Sequence, residues 1–149
     1  MRSSAVLLVF TLCLAFGMLK AEAESPDPKC PVVINRVELS YSHQGGMSKP
    51  QLTIEFDNHA GKQISKITFN LLVLDEGGNP HPYPDDLMYQ DGLETGKRKV
   101  YNWDLASEAV NIHRTGETAF VEKVEFIDTT SWIDDGSESC VFTVDYHAR

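Results

Sequence analysis

The feature that most narrows the folds open to this chain is an apolar period of two. In QLTIEFD, residues 51–57, Leu52, Ile54 and Phe56 alternate with polar side chains. Successive side chains of a strand leave on opposite faces, so such a run buries one face and wets the other. A helix would need its apolar residues three and four apart. The same period returns in VVINRVELSY, with Val33, Asn35, Val37, Leu39 and Tyr41 on one face, and in ISKITFNLLVLD, with Ile67, Phe69, Leu71 and Val73. Leu72 and Leu74 add apolar groups to the other face of that run, as expected for a central strand covered on both sides. RKVYNWDL alternates through Tyr101, Trp103 and Leu105. In TAFVEKVEFID, Phe120, Val124 and Phe126 share a face with Glu122, which places the glutamate near an edge or in a bulge.

Turn chemistry separates these runs. SHQGGMSKP joins the first two as a hairpin or a short cross-sheet loop, and ASEAVNIHRTGE, stopped by Gly116, is expected to be a loop. Pro80, Pro82 and Pro84 interrupt the stretch from Glu76 to Gly96, and Pro82 and Pro84, which lack the N–H that a ladder needs, are expected to exclude regular pairing there. NPHPYPDD is therefore expected as an extended loop and LMYQ as a short edge strand. TSWI and SCVFTVDY flank DDGS, and an Asp-Gly step between apolar alternating runs predicts a hairpin. About seven short strands and no convincing helix predict an all-β fold, an antiparallel β-sandwich of immunoglobulin-like type.

The opening segment sets the compartment. Arg2 precedes an apolar run from Ala5 to Leu19, too short to span a bilayer, which takes about 20 residues. Ala21-Glu22-Ala23 then supplies a small-x-small cleavage triplet, so residues 1–23 are expected to be a signal peptide and residues 24–149 a single β-sandwich domain. The protein is accordingly expected to be extracytoplasmic, periplasmic or secreted, without a membrane segment after signal removal. Residues 1–23 hold Arg2, Lys20 and Glu22, so their loss takes the formal charge from −9 to −10. Such a surface repels nucleic acid and anionic headgroups. The basic cluster Lys97, Arg98 and Lys99 fits a charged strand that discourages edge pairing.

Export leaves Cys30 and Cys140 as the two cysteines of residues 24–149. Secreted domains rarely keep two free thiols, and these lie before the first strand and at the start of the last. A disulfide clasping the termini is expected. A redox pair would favour C-x-x-C spacing or a cationic setting, whereas Asp134, Asp135 and Glu138 precede Cys140.

Catalytic patterns are missing: there is no G-x-S-x-G elbow, and paired cysteines offer no thiolate nucleophile. No enzymatic activity and no cofactor is expected. His43, His59, His81, His113 and His147 stand apart, without H-x-H or H-x-x-x-H spacing; His43 with Met47 is the candidate imidazole–thioether pair for copper. The aspartates of the turns do not form a D-x-[DN]-x-[DN]-G calcium loop. In the proline-rich stretch His81, Tyr83 and Tyr89 are candidates for a binding loop, since loops on a rigid sandwich often carry function. Trp103, in an alternating strand, is expected to pack in the core.

Phe56-Asp57-Asn58, Ile64, Ile67 and Phe69, Asp75-Glu76-Gly77-Gly78, Leu93-Glu94-Thr95-Gly96 and Tyr101 form a further series. Over roughly residues 52–103 it resembles bacterial extracytoplasmic domains of the FxLYD type. There a strand ends in asparagine, an I-x-x-I-x-F strand follows, a D-x-x-G turn closes it and an L-x-x-G turn opens the next. The insertion between Gly78 and Leu93 departs from that compact pattern. The resemblance implies a small secreted or periplasmic sandwich without a described catalytic activity, and supplies no functional residues. The expected role is a non-catalytic interaction or accessory module contacting another envelope or secreted protein. The alternative is a small-ligand or copper-binding periplasmic protein.

Overall fold

The computed structural model describes residues 30–44, 47–106, 110, 114–137 and 139–146. The expected signal peptide and the side chains of residues 43, 44, 47 and 145 lie outside that description. The described residues form nine strands: β1 Val32–Gln44, β2 Met47–Asn58, β3 Ile64–Asp75, β4 Pro80–Pro82, β5 Leu87–Tyr89, β6 Arg98–Asp104, β7 Arg114–Phe126, β8 Ser131–Ile133 and β9 Val141–Asp145. One sheet has the order β1-β2-β6; in the other β3 and β7 are central, and all pairings are antiparallel. β4 and β5 lie end to end along one edge of β3, and β8 and β9 end to end along the far edge of β7. Counting each collinear pair once leaves seven strand positions, the number the alternation predicts. The first, second and fifth form one sheet and the fourth, third, sixth and seventh the other, an immunoglobulin-like sandwich.

The core lies between the sheets. Leu52, Ile54 and Phe56 of β2 face Ile67, Phe69, Leu71 and Val73 of β3, all essentially without solvent exposure. Phe56 packs on Phe69 and on Tyr89 at ring-centroid distances of 5.1 and 5.2 Å, and Trp103 meets Phe69 at 5.7 Å. Rings of this size, tilted or edge-on, supply much of a small domain's buried apolar surface. On the outer face of β3, Leu72 and Leu74 are half-buried and not covered as an inner strand face would be.

Two β-bulges change which residues that core receives. The register of β1 on β2 shifts between Ile34 and Arg36, so Asn35 is the extra residue. Val32 and Ile34 are buried before it and Val37 and Leu39 after it, while Val33 and Tyr41 are exposed. The single face expected from Val33 to Tyr41 is thus divided, because one added residue moves every later side chain to the other side. In β7 the register passes from Lys123 to Val121, leaving Glu122 as the extra, exposed residue. The bulge expected at Glu122 is present, but it moves Phe120 to the outer face; Ala119, Val121, Val124 and Phe126 are the buried set.

Three turn assignments are corrected. DDGS does not reverse the chain. The Asp134 N–H donates to the Glu122 carbonyl and the Val121 N–H to that of Cys140, so β8 and β9 continue one strand line along β7. The reversal lies between β7 and β8, where Asp128 Oδ1 accepts from the Thr130 N–H and Thr129 adopts a φ of 69°. Pro80 and Pro82 do not exclude pairing: His81 is opposite Val73, and both prolines turn their missing donors to the free edge. Gly116 lies inside β7, where an added Cβ would stand 2.3 Å from the Val144 carbonyl oxygen.

Candidate functional site

The residues singled out in the sequence do not assemble into one site. His43 is opposite Ser48 and Met47 opposite Gln44 on neighbouring rungs of the β1–β2 ladder; their side chains lie outside the described residues. His81 is exposed, with Nε2 2.9 Å from Asp75 Oδ2. Tyr83 is half-buried and its hydroxyl accepts from the Ala106 N–H. Tyr89 belongs to the core at 1 % exposure, its hydroxyl donating to the Gly92 carbonyl at 2.6 Å. The loop thus turns one of its three candidate rings away from solvent. Trp103 is half-buried against Phe69 and Tyr101, and its Nε1 donates to the Met88 carbonyl. Cys30 and Cys140 are joined by a disulfide with Cα atoms 5.3 Å apart.

The polar residues of the resembling stretch make corners. Asn58 is fully buried: its Nδ2 donates to the carbonyls of Lys62 and Leu93, and its Oδ1 accepts from the Ala60 N–H. Asp75 accepts from the backbone of Gly77 and Asn79 and from His81, and these bonds, His81 first, hold its carboxyl well below the ordinary range.

A less expected constellation lies at one side of the sandwich. Glu117 of β7 has no exposed surface. Tyr146 donates its hydroxyl to both carboxylate oxygens, at 2.6 and 2.5 Å, and the Leu39 N–H of β1 reaches Oε1 at 3.3 Å. Arg114 donates to the Leu39 carbonyl at 2.7 Å, with its guanidinium 5.3 Å from the ring centre of Tyr41 and 5.8 Å from that of Tyr146. Burial raises the pKa of Glu117, against the pull of Tyr146 and Arg114; burial and then the Glu117 carboxylate push Tyr146 up to about 12. A groove of roughly 520 Å³ opens beside them, bordered by Val37, Phe142, Val144 and the rim charges Arg36 and Glu38. Alternation alone could not find this cluster, because Glu117 occupies a core position in a strand whose phase the bulge at Glu122 obscures.

The two outer faces differ in kind. On the β1-β2-β6 sheet, cross-strand pairs are polar: Thr53 with Asn102, Gln51 with Asp104, and Arg98 with Asp57 at 2.7 Å and Glu55 at 3.0 Å. On the other sheet the half-buried Leu72 and Leu74 have the exposed Pro82 and Pro80 of β4 on one side and Thr118 and Gly116 of β7 on the other, and the half-buried Phe120, opposite Asn70 and diagonal to Leu72, is opposite the exposed Val141. Leu72, Leu74, Phe120 and Val141 thus give that face an apolar patch, whereas the first face exposes Val33 and Val100 among its polar pairs.

No protein-family model and no curated protein matches the chain. Among solved structures it is similar to a hypothetical protein from Peptoclostridium difficile 630, with a TM-score of 0.53 and 12% identity over 73% of this chain and 89% of that one. A structural genomics target is similar at a TM-score of 0.42 and 8% identity, covering 77% of this chain and 86% of that one. At 12% identity the first likeness extends to the fold alone. Among the described residues no helix is long and apolar enough to cross a membrane.

Proposed function

We propose that this chain is a non-catalytic extracytoplasmic interaction module that binds another envelope or secreted protein through the outer face of its second sheet. The observation carrying the reading is the difference between the two outer faces. The first is dominated by polar and ionic cross-strand pairs, with Val33 and Val100 as its exposed apolar residues, whereas the second, beside the pairs Thr118–Thr143 and Asn70–Glu122, carries Leu72, Leu74, Phe120 and Val141 as an apolar patch. Contiguous apolar surface on a soluble domain marks a place of contact. With a formal charge of −9, the chain suits a partner with an apolar centre and a basic rim. The disulfide, and the resemblance to FxLYD-type domains, support placement outside the cytoplasm.

Photo-crosslinkers at Leu72 and Val141, compared with others at Thr53 and Asn102, test the assignment in the native compartment. Adducts to a single protein are expected at the first pair and not the second. The purified partner should then bind Phe120→Glu at least about tenfold more weakly than wild type, as loss of a central apolar anchor implies. Equal labelling of both faces defeats the reading. A rise in melting temperature with Cu(I) or Cu(II) that His43→Ala abolishes would favour the metal alternative instead, because a ligand of the folded state stabilises it.

A further inference from the structure

The edges of the sandwich are treated differently. The β4–β5 edge carries Pro80 and Pro82, the β8–β9 line is interrupted between Ile133 and Val141, and β6 is entered through Lys97 and Arg98. Over residues 36–42 the edge strand β1 has no proline and no break, only the charged Arg36 and Glu38, and it runs regularly beside β2 beyond the bulge. An unbroken edge offers its backbone donors and acceptors to any other strand. Their direction here is fixed by Leu39. It lies opposite Leu52, yet its N–H goes to Glu117 and its carbonyl accepts from Arg114. Both groups therefore face away from β2, and the period of two turns those of Val37 and Tyr41 the same way.

We propose that Glu117 and Arg114 form an edge guard, occupying Leu39 as a neighbouring strand would, and that the partner they exclude is β1 of a second copy of this chain. A second copy fits because antiparallel pairing centred on Leu39 is self-complementary. It sets Val37 opposite Tyr41, Arg36 opposite Ser42 and Glu38 opposite Ser40, so no like charges stand directly opposite and only the two Glu38 are diagonal neighbours. That register also stays within the regular part of β1, clear of the Asn35 bulge. The guard is held in place from behind: Tyr146 fixes the Glu117 carboxylate, and the Arg114 guanidinium lies against the rings of Tyr41 and Tyr146.

The test is sedimentation of the purified protein over a range of concentrations. Wild type is expected to remain monomeric, and the variant combining Arg114→Ala with Glu117→Leu, which removes both the donor to the Leu39 carbonyl and the acceptor of its N–H, to form a dimer that Tyr41→Pro disperses. Tyr41 is opposite Pro50, so that proline removes an outward N–H without breaking the β1–β2 ladder. A folded double variant that stays monomeric overturns the proposal, as does a dimer indifferent to Tyr41→Pro. If the double variant does not fold, amide exchange in Glu117→Arg, read against the volume-conserving Glu117→Gln, decides. The Leu39 N–H should exchange roughly tenfold faster in the arginine variant, while equal protection in both overturns the guard.

Discussion

Glu117 shows what a single buried charge demands. A carboxyl withdrawn from water is costly unless donors fill its lone pairs, and here Tyr146 and the Leu39 N–H do so with Arg114 close by. Tyr146→Phe removes one donor and leaves the carboxyl under-satisfied; urea unfolding should show a loss of about 1–3 kcal/mol. The pH dependence has a definite sign. Burial raises the folded-state pKa of Glu117 above 4.5, so its contribution is fully present below 4.5 and lost as pH rises through the raised value. Relative to Glu117→Gln, wild type should therefore gain stability as pH falls from about 7 toward 4.5. Asp128 works the other way: hydrogen bonds from Thr130 lower it to about 2, so its contribution holds above 3.8 and fades as pH falls toward 2. Trp103→Ala, at a half-buried ring that also bonds Met88, should cost about 3 kcal/mol in the same assay, the lower end for a large aromatic.

Among the elements, the last strand line is the one whose sequence signals mislead. Asp-Gly at 135–136 does form a turn, with Gly136 at a φ of 86°. Whether such a turn reverses the chain or closes an excursion depends on what β7 offers on either side, which no local signal contains. β9 is anchored at its start by the disulfide, closing 110 residues of chain. Reduction should lower stability by up to about 4.7 kcal/mol, as expected for a loop of this order. Intact mass should rise by about 2 Da, the two hydrogens gained when one disulfide opens. In the proline-rich segment Leu87 and Tyr89 are buried, whereas residues 84–86 are exposed and lie between β4 and β5 without ladder pairing. Limited proteolysis with an aspartate-directed enzyme should cut at Asp85 or Asp86 while leaving Leu87–Tyr89 intact, and first cleavage within β5 would contradict that burial.

At the scale of the whole molecule, the proposed docking face and the proposed edge guard would divide the surface into regions that resist association and one that invites it. The ion pairs of Arg98 with Asp57 and Glu55 are exposed and add little stability. Their consequence is a face with few unpaired groups. Association through the apolar patch should respond to salt mainly in its rate, because a chain of charge −9 steers a basic-rimmed partner over long range while apolar contact sets the dissociation. Stopped-flow binding in rising salt checks this: the on-rate should fall steeply and the off-rate change little.

Period-two runs by themselves determined the class of fold, the number of strand positions and the core set in β2 and β3, since alternation over a half-buried strand is a local property of the chain. The count and placement of the cysteines, read with the expectation of export, likewise pointed to the Cys30–Cys140 bridge. What only the tertiary structure decided was phase. The bulges at Asn35 and Glu122 transfer Val33 and Phe120 to the outer side, and they exist because neighbouring strands must keep register across a twisted sheet. The Glu117 cluster is the sharpest case. Its partners lie 78 residues away at Leu39 and 29 away at Tyr146, and a buried acid is tolerable at position 117 because β1 and the residue that follows β9 bring donors to it.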